Sequence, residues 1–321
     1  MPHILVAGRI HQQGLDVLKN AKGITFEVVD EVSRESYVPL LPNADALLIR
    51  TQALDKAAIA SAPKLKIVSR HGVGYDAVDV EALNTRKIPL CIVGDVNSRA
   101  VAEHTLMLML SAARRVVAHD QALRSGNWKL RNAFETIELD GKTLLVMGLG
   151  RIGKRVAALA QAFGMNVIGL DPIVSASTMK DLDITPATDL ASALKLADYV
   201  TLHVPLIGSK PVIGGEELAL MKPTTILINA ARGGLIDEAA LNQALLSCKI
   251  YGAGLDVFGV EPPQGDNPLL ANPYVTLSPH SAGLTAECAA RMGASSAQNI
   301  LDFFAGQLDP RLVVNGKEIG L

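Results

Sequence analysis

The stretch Leu144-Leu145-Val146-Met147-Gly148-Leu149-Gly150-Arg151-Ile152-Gly153 limits the folds open to this chain more than any other. Four apolar residues read as a buried parallel strand. A G-x-G-x-x-G turn follows at once, and Lys154 to Phe163 reads as an Ala-rich helix. Strand, turn and helix in that order are the dinucleotide-binding fingerprint in its proper setting. Gly148 permits the tight turn, Gly150 lets backbone approach a pyrophosphate, and Gly153 lets helix and strand pack closely. The helix N-terminus, at Arg151 and Ile152, offers free N–H groups to phosphate. The next predicted strand, Asn166 to Leu170, ends in Asp171, ~20 residues on. A carboxylate there can accept both ribose hydroxyls of NAD and would repel the 2′-phosphate of NADP.

The rest of the chain suits such a fold. Its 321 residues predict two domains, and a 49% hydrophobic content fills two cores. The formal net charge of −2, with no Lys/Arg cluster, argues against nucleic acid as a partner. Cys91, Cys248 and Cys288 are odd in number and far apart, which suits a reducing cytoplasm. No Cys or His spacing suggests a metal. Met1 to Ala7 lacks a signal-peptide pattern, and the apolar run near Leu106 is too short to span a bilayer.

Strands and helices alternate almost throughout, which predicts an α/β chain with two doubly wound parallel sheets. Early strands are expected at Ile4–Ala7, Ala46–Ile49, Ile67–Ser69 and Leu90–Ile92. Later ones are expected at Leu144–Met147, Val167–Leu170, Tyr199–Leu202, Thr225–Asn229, Gly252–Leu255 and Val275–Leu277. Val101 to Val117, free of Gly and Pro, predicts one long helix bridging two domains. Ala286 to Phe304 predicts a last helix that returns to the first domain. The expected division is a flavodoxin-like substrate domain, 1–98 completed by 285–321, with a Rossmann NAD-binding domain, 99–284, inserted into it. A second G-x-G-x-x-A, at Gly72-Val73-Gly74-Tyr75-Asp76-Ala77, precedes a short acidic segment that would oppose a pyrophosphate. It reads instead as a backbone nest for a smaller anion such as a carboxylate.

Three residues follow predicted strands, where parallel sheets place their ligands. Arg232 follows Thr225–Asn229 and can grip a carboxylate bidentately. Glu261 lies after Gly252–Leu255 on a loop stiffened by Pro262 and Pro263. His280 follows Val275–Leu277. Beside a dinucleotide site, an anion clamp and an imidazole held by a carboxylate suit hydride exchange with a hydroxy acid.

On these motifs the chain closely resembles the D-isomer-specific 2-hydroxyacid dehydrogenases, within them the short 3-phosphoglycerate dehydrogenase-like branch. The similarity covers Arg70 to Asp76, Asn97 to His104, Gly148 to Asp171, His203 to Leu206, Met221 to Glu238 and Leu255 to Gly283. It implies that Arg232, Glu261 and His280 are the catalytic set. It implies that Arg50, Thr51, Val73, Gly74 and Asn97 border the substrate, with Arg232. His203, Val204, Pro205, Ala230 and Gly283 would line NAD, and Asp256 would meet its carboxamide. It further implies a homodimer through about Val101 to Leu139, including Trp128. The chain stops at Leu321, short of the C-terminal regulatory domain of many phosphoglycerate dehydrogenases, so serine feedback is not expected.

The expected substrate is a D-2-hydroxy acid or its 2-oxo partner with a second anionic group, because Arg50, Arg70 and Arg99 lie near the substrate loops. Its carboxylate would sit on the Gly72–Gly74 nest and Arg232, and closure of two domains would exclude water. Two alternatives stay open on sequence. One is a glyoxylate or hydroxypyruvate reductase; the other is an NAD-sensing, corepressor-like binding protein.

Overall fold

The computed structural model describes all residues, Met1–Leu321. The chain forms two compact units. One is Met1–Asn97 with Leu284–Leu321, and the other is Ser98–Gly283.

The first unit is built on a parallel sheet of β1 (His3–Ala7), β2 (Thr25–Val29), β3 (Ala46–Ile49), β4 (Ile67–Arg70) and β5 (Leu90–Cys91). Their order is β2-β1-β3-β4-β5, the flavodoxin-like arrangement. Alternation along β1 shows why both sheet faces are covered. Ile4 and Val6 pack with Ala297 and Ile300 of the helix Ala286–Phe304. Leu5 and Ala7 face the opposite cluster with Tyr37, Leu41 and Ile59. The C-terminal helix thus supplies part of this unit's core. Thr285 caps it, accepting from the Cys288 N–H at 3.1 Å. Ser69 Oγ of β4 donates to its Ser296 carbonyl at 2.8 Å.

The second unit holds seven parallel strands. They are β6 (Thr143–Met147), β7 (Asn166–Leu170), β8 (Thr185–Pro186), β9 (Tyr199–Leu202), β10 (Ile226–Asn229), β11 (Gly252–Leu255) and β12 (Val275–Leu277). The order β12-β11-β10-β9-β6-β7-β8 is a Rossmann sheet with one added edge strand. The strand order reverses between β6 and β9, so a crevice opens beyond their carboxyl ends. Leu144 and Val146 of β6 enter one core layer, Leu145 and Met147 the other.

Three features depart from the sequence expectation. β2 and β8 were not expected. β2 is an edge strand without a continuous apolar run, and its Val28 is exposed. β8 is two residues long and exists only through pairing with Ile168 and Gly169. The single helix expected over Val101–Val117 is two helices, Ser98–Ala113 and Val116–Arg124. They are separated at Arg115, whose φ is +47°. Its guanidinium lies 5.0 Å from the ring centroids of both Tyr251 and Tyr274 and pairs with Glu135 at 3.4 Å. Those cation–π contacts and the ion pair hold the side chain where a straight helix would not carry it. No helix is long and apolar enough to cross a membrane.

Candidate active site

The glycine turn after β6 has a distinct steric reason at each position. Gly148 has φ +91°, and a Cβ there would lie 2.5 Å from the His203 carbonyl oxygen. Gly150 is the N-cap of the helix Arg151–Ala162, has no side-chain cap, and has open space over its Cα. The first N–H groups of a helix with no capping side chain suit an anionic ligand. A Cβ on Gly153 would overlap the Gly148 carbonyl, so only glycine lets this helix sit so close to β6. An open cradle, a helix N-terminus and an acidic residue after β7 together fit the pyrophosphate and ribose of a dinucleotide.

Asp171 also takes part in the backbone of the glycine turn. Its Oδ2 accepts the Leu149 N–H at 2.7 Å, and its Oδ1 accepts those of Ile173 and Val174 at 2.7 and 3.0 Å. Burial pushes its carboxyl up, but these backbone donors, with Lys154, outweigh that and hold it below the usual carboxylate range. The carboxylate therefore braces the glycine turn, and its remaining lone pairs can accept hydroxyls. On β9's far end, His203 is anchored by its N–H on the Met147 carbonyl at 2.7 Å. Its Nε2 meets Thr201 Oγ1 at 3.0 Å, while its buried Nδ1 has no partner. Burial lowers its pKa to about 4, so the ring is neutral at pH 7. Ile152, Val101, Ala230 and Ala282 form a small apolar cluster of the same unit.

Arg232, Glu261 and His280 follow β10, β11 and β12, neighbouring strands with parallel pairing. Asn229, the last residue of β10, shapes the turn that presents Arg232. Its Nδ2 donates to the Arg232 carbonyl at 2.7 Å and its Oδ1 accepts the Ala231 N–H at 3.0 Å. Glu261 Oε1 accepts the Phe258 N–H at 3.0 Å, and its Oε2 lies 2.6 Å from His280 Nδ1. With Nδ1 on the carboxylate, the neutral ring carries its proton there and leaves Nε2 as a base. The His280 ring is 54% exposed, so that nitrogen is open to a small ligand. Glu238 steadies the Glu261 loop, accepting from Gly259 N at 2.5 Å and Asn267 Nδ2 at 2.8 Å. A Cβ on Gly233 would overlap the Phe258 carbonyl, so the Arg232 turn and the Glu261 loop are packed backbone to backbone.

Asp256 is fully buried, and its carboxylate faces inward. Oδ1 accepts Ser278 Oγ at 2.6 Å and Ser281 N at 2.9 Å; Oδ2 accepts Ala282 N at 2.9 Å. His104 Nε2 lies 3.4 Å from Oδ1. Apart from His104, these partners of the Asp256 carboxylate belong to the His280 loop. Asn229, Glu238, His104 and Ser278 were not singled out from sequence. An Asn ending a strand before Ala-Ala-Arg was a legible turn signal; the other three act through distant partners.

In the first unit, Arg50 follows β3 and Arg70 ends the paired strand β4, so Thr51 and the Val73–Gly74 turn follow at the same sheet edge. Arg50 donates to the Arg9 carbonyl at 3.1 Å, and burial lowers its pKa. The Gly72 N–H donates to the Arg70 carbonyl at 2.9 Å, so the expected three-residue nest is narrowed to Val73 and Gly74. The helix after it, Val80–Thr85, is short, as the rejected second dinucleotide motif required. Asn97 ends the first stretch of this unit. Arg99 is exposed and, as the expected division has it, lies in the second unit, in the first turn of Ser98–Ala113.

Fold and strand-end residues together define a Rossmann dinucleotide-binding protein with a hydrogen-bonded carboxylate–imidazole pair. Residues 106–282 match the model of the D-isomer specific 2-hydroxyacid dehydrogenase NAD binding domain. A glyoxylate reductase of Aeropyrum pernix is 37% identical over 97% of this chain and 96% of its own length. The chain belongs to the D-isomer specific 2-hydroxyacid dehydrogenase family. A D-3-phosphoglycerate dehydrogenase of Methanocaldococcus jannaschii is 40% identical over 98% of this chain, which spans 59% of that relative's length. A D-lactate dehydrogenase from Aquifex aeolicus, solved with NAD and lactic acid, superposes with a TM-score of 0.85. It is 26% identical, with coverage of 95% of this chain and 96% of that one.

Proposed function

We propose that this chain is an NAD-dependent oxidoreductase that interconverts a D-2-hydroxy acid and its 2-oxo acid, one bearing a second anionic group. The observation that carries the reading is the Glu261–His280 contact of 2.6 Å, at the sheet edge that also presents Arg232. When bound, NAD supplies the hydride acceptor at its nicotinamide ring. The chain's own groups do the rest. Gly148, Gly150 and Gly153, with the N–H groups of Arg151 and Ile152, hold the pyrophosphate. Asp171 holds the ribose, and His203, Val204, Pro205, Ala230 and Gly283 line the cofactor. Arg232 grips the substrate carboxylate and polarises the C2 oxygen. His280 Nε2 takes the hydroxyl proton in oxidation and returns it in reduction, while Glu261 fixes the ring. Val73, Gly74, Thr51 and Asn97 contact the acid's carboxylate end, and Arg50 takes its second anionic group.

A panel of acids with NAD, followed at 340 nm, tests this. D-3-phosphoglycerate or a dicarboxylic hydroxy acid should exceed D-lactate in kcat/KM, and Arg50→Ala should erase the difference. Equal use of D-lactate, or preference for an L-isomer, refutes the substrate class. The three cysteines are free, which supports a reducing cytoplasm as its location. A second copy of the chain is the proposed partner of the second unit's apolar surface. Met107, Val116, Val117, Leu123, Trp128 and Phe134 are exposed there, too many for a solitary surface. Equilibrium sedimentation reads the dimer directly.

A further inference from the structure

We infer that His104 is a positioning residue for the reaction, acting through the Ser278 hydroxyl on Asp256 and so on the loop that presents His280. The inference rests on the acid–base role proposed for His280.

The direction of the relay follows from proton counting. Asp256 is 1% exposed, and burial alone would push its carboxyl up. His104, Ser278 and the Ser281 and Ala282 N–H groups outweigh that and keep it ionised. An ionised carboxylate only accepts, so the single hydroxyl proton of Ser278 goes to Asp256 Oδ1 at 2.6 Å. The Ser278 oxygen must then accept from His104 Nε2, 2.8 Å away. His104 therefore carries a proton on Nε2. The chain of donors runs from the helix Ser98–Ala113, through Ser278, to Asp256.

Asp256 brackets His280 from both sides. Its backbone carbonyl accepts the His280 N–H at 2.8 Å. Its carboxylate accepts the next two N–H groups, of Ser281 and Ala282. His280 needs that hold, because its φ is +50°, a left-handed conformation that is unfavourable for a non-glycine residue. Without the relay, Asp256 loses the Ser278 hydroxyl, or the His104 donor that orients that hydroxyl, in a site water does not reach. The loop can then relax toward ordinary φ, carrying His280 Nδ1 off Glu261. The segment displaced is the His280 loop, so proton transfer is affected more than cofactor binding.

The test uses His104→Leu, His104→Gln, Ser278→Ala, Ser278→Thr and the double variant His104→Leu/Ser278→Ala. His104→Leu and Ser278→Ala should each lower kcat about 10- to 100-fold, the range expected of a sub-ångström to 1 Å misplacement. KM for NAD should hold. His104→Gln and Ser278→Thr, which keep the donors, should recover most of kcat. The double variant should be no slower than the slower single, because one relay is broken once. Wild-type kcat in His104→Leu, or losses that multiply in the double variant, overturns the inference. Should His104→Leu fail to fold, Ser278→Ala, which deletes one hydroxyl, reads the same relay.

Imidazole NMR separates this inference from the proposed activity. The His280 signal, assigned by its loss in His280→Ala, should shift in Ser278→Ala and return in Ser278→Thr. If no hydroxy acid is turned over but the signal behaves so, the positioning role stands and the reaction assignment fails. A signal that does not move overturns the positioning role whatever the activity.

Discussion

Lowering the pH from 7 to 5 should destabilise this protein through His71, by an amount the structure sets. His71 is 6% exposed, and its Nε2 has no hydrogen-bond partner. Burial, then the charges of Arg50 and Arg70, lower its pKa from 6.5 to about 4. The unfolded chain therefore takes up this proton first as the pH falls. Stability from the neutral ring is complete above pH 6.5 and is lost progressively as the pH drops toward 4. At 1.36 kcal/mol per pH unit the limit is about 3 kcal/mol, of which about 2 kcal/mol falls between pH 7 and 5. Urea unfolding followed by far-UV circular dichroism at the two pH values measures the loss. His71→Gln cannot titrate, so its stability should fall about 2 kcal/mol less than wild type over that interval. Equal losses in the two proteins would refute the reasoning, since a His charged in the folded state leaves no such difference.

His280→Ala should leave NADH binding intact, by fluorescence titration, and lower turnover about 10²–10⁴-fold; Glu261→Gln should be milder, because the amide still orients the ring. Wild-type turnover in His280→Ala would sink the acid–base role. Wild-type kcat/KM should favour NAD over NADP, and Asp171→Ala should lose NAD affinity and much of that preference. The same variant should also lower the melting temperature, because the Leu149, Ile173 and Val174 N–H groups lose their acceptor. Gly153→Ala should cost about 3 kcal/mol or more and abolish cofactor binding, since the added methyl overlaps the Gly148 carbonyl; a stable variant that binds NADH would show that the helix can retreat from β6 freely.

The sequence alone determined what local pattern and chain direction determine. Short apolar runs such as Ile4–Ala7, Ala46–Ile49 and Tyr199–Leu202 declare buried parallel strands, because both their faces must be covered. Gly148, Gly150 and Gly153 are legible because backbone sterics are local. Arg232, Glu261 and His280 stand out because parallel strands all deliver their next residues to one sheet edge. What needs a distant partner was not legible. The edge strands β2 and β8 exist through pairing. The break at Arg115 depends on Tyr251 and Tyr274, more than a hundred residues away. Asp171 reads as a ribose acceptor, yet only the folded turn places three N–H groups on it. His104 and Ser278 are 174 residues apart, and no spacing announces them. Periodicity records which faces are buried. Only tertiary packing decides which buried polar group meets which, because hydrogen bonds are specific pairwise contacts rather than averages over a face.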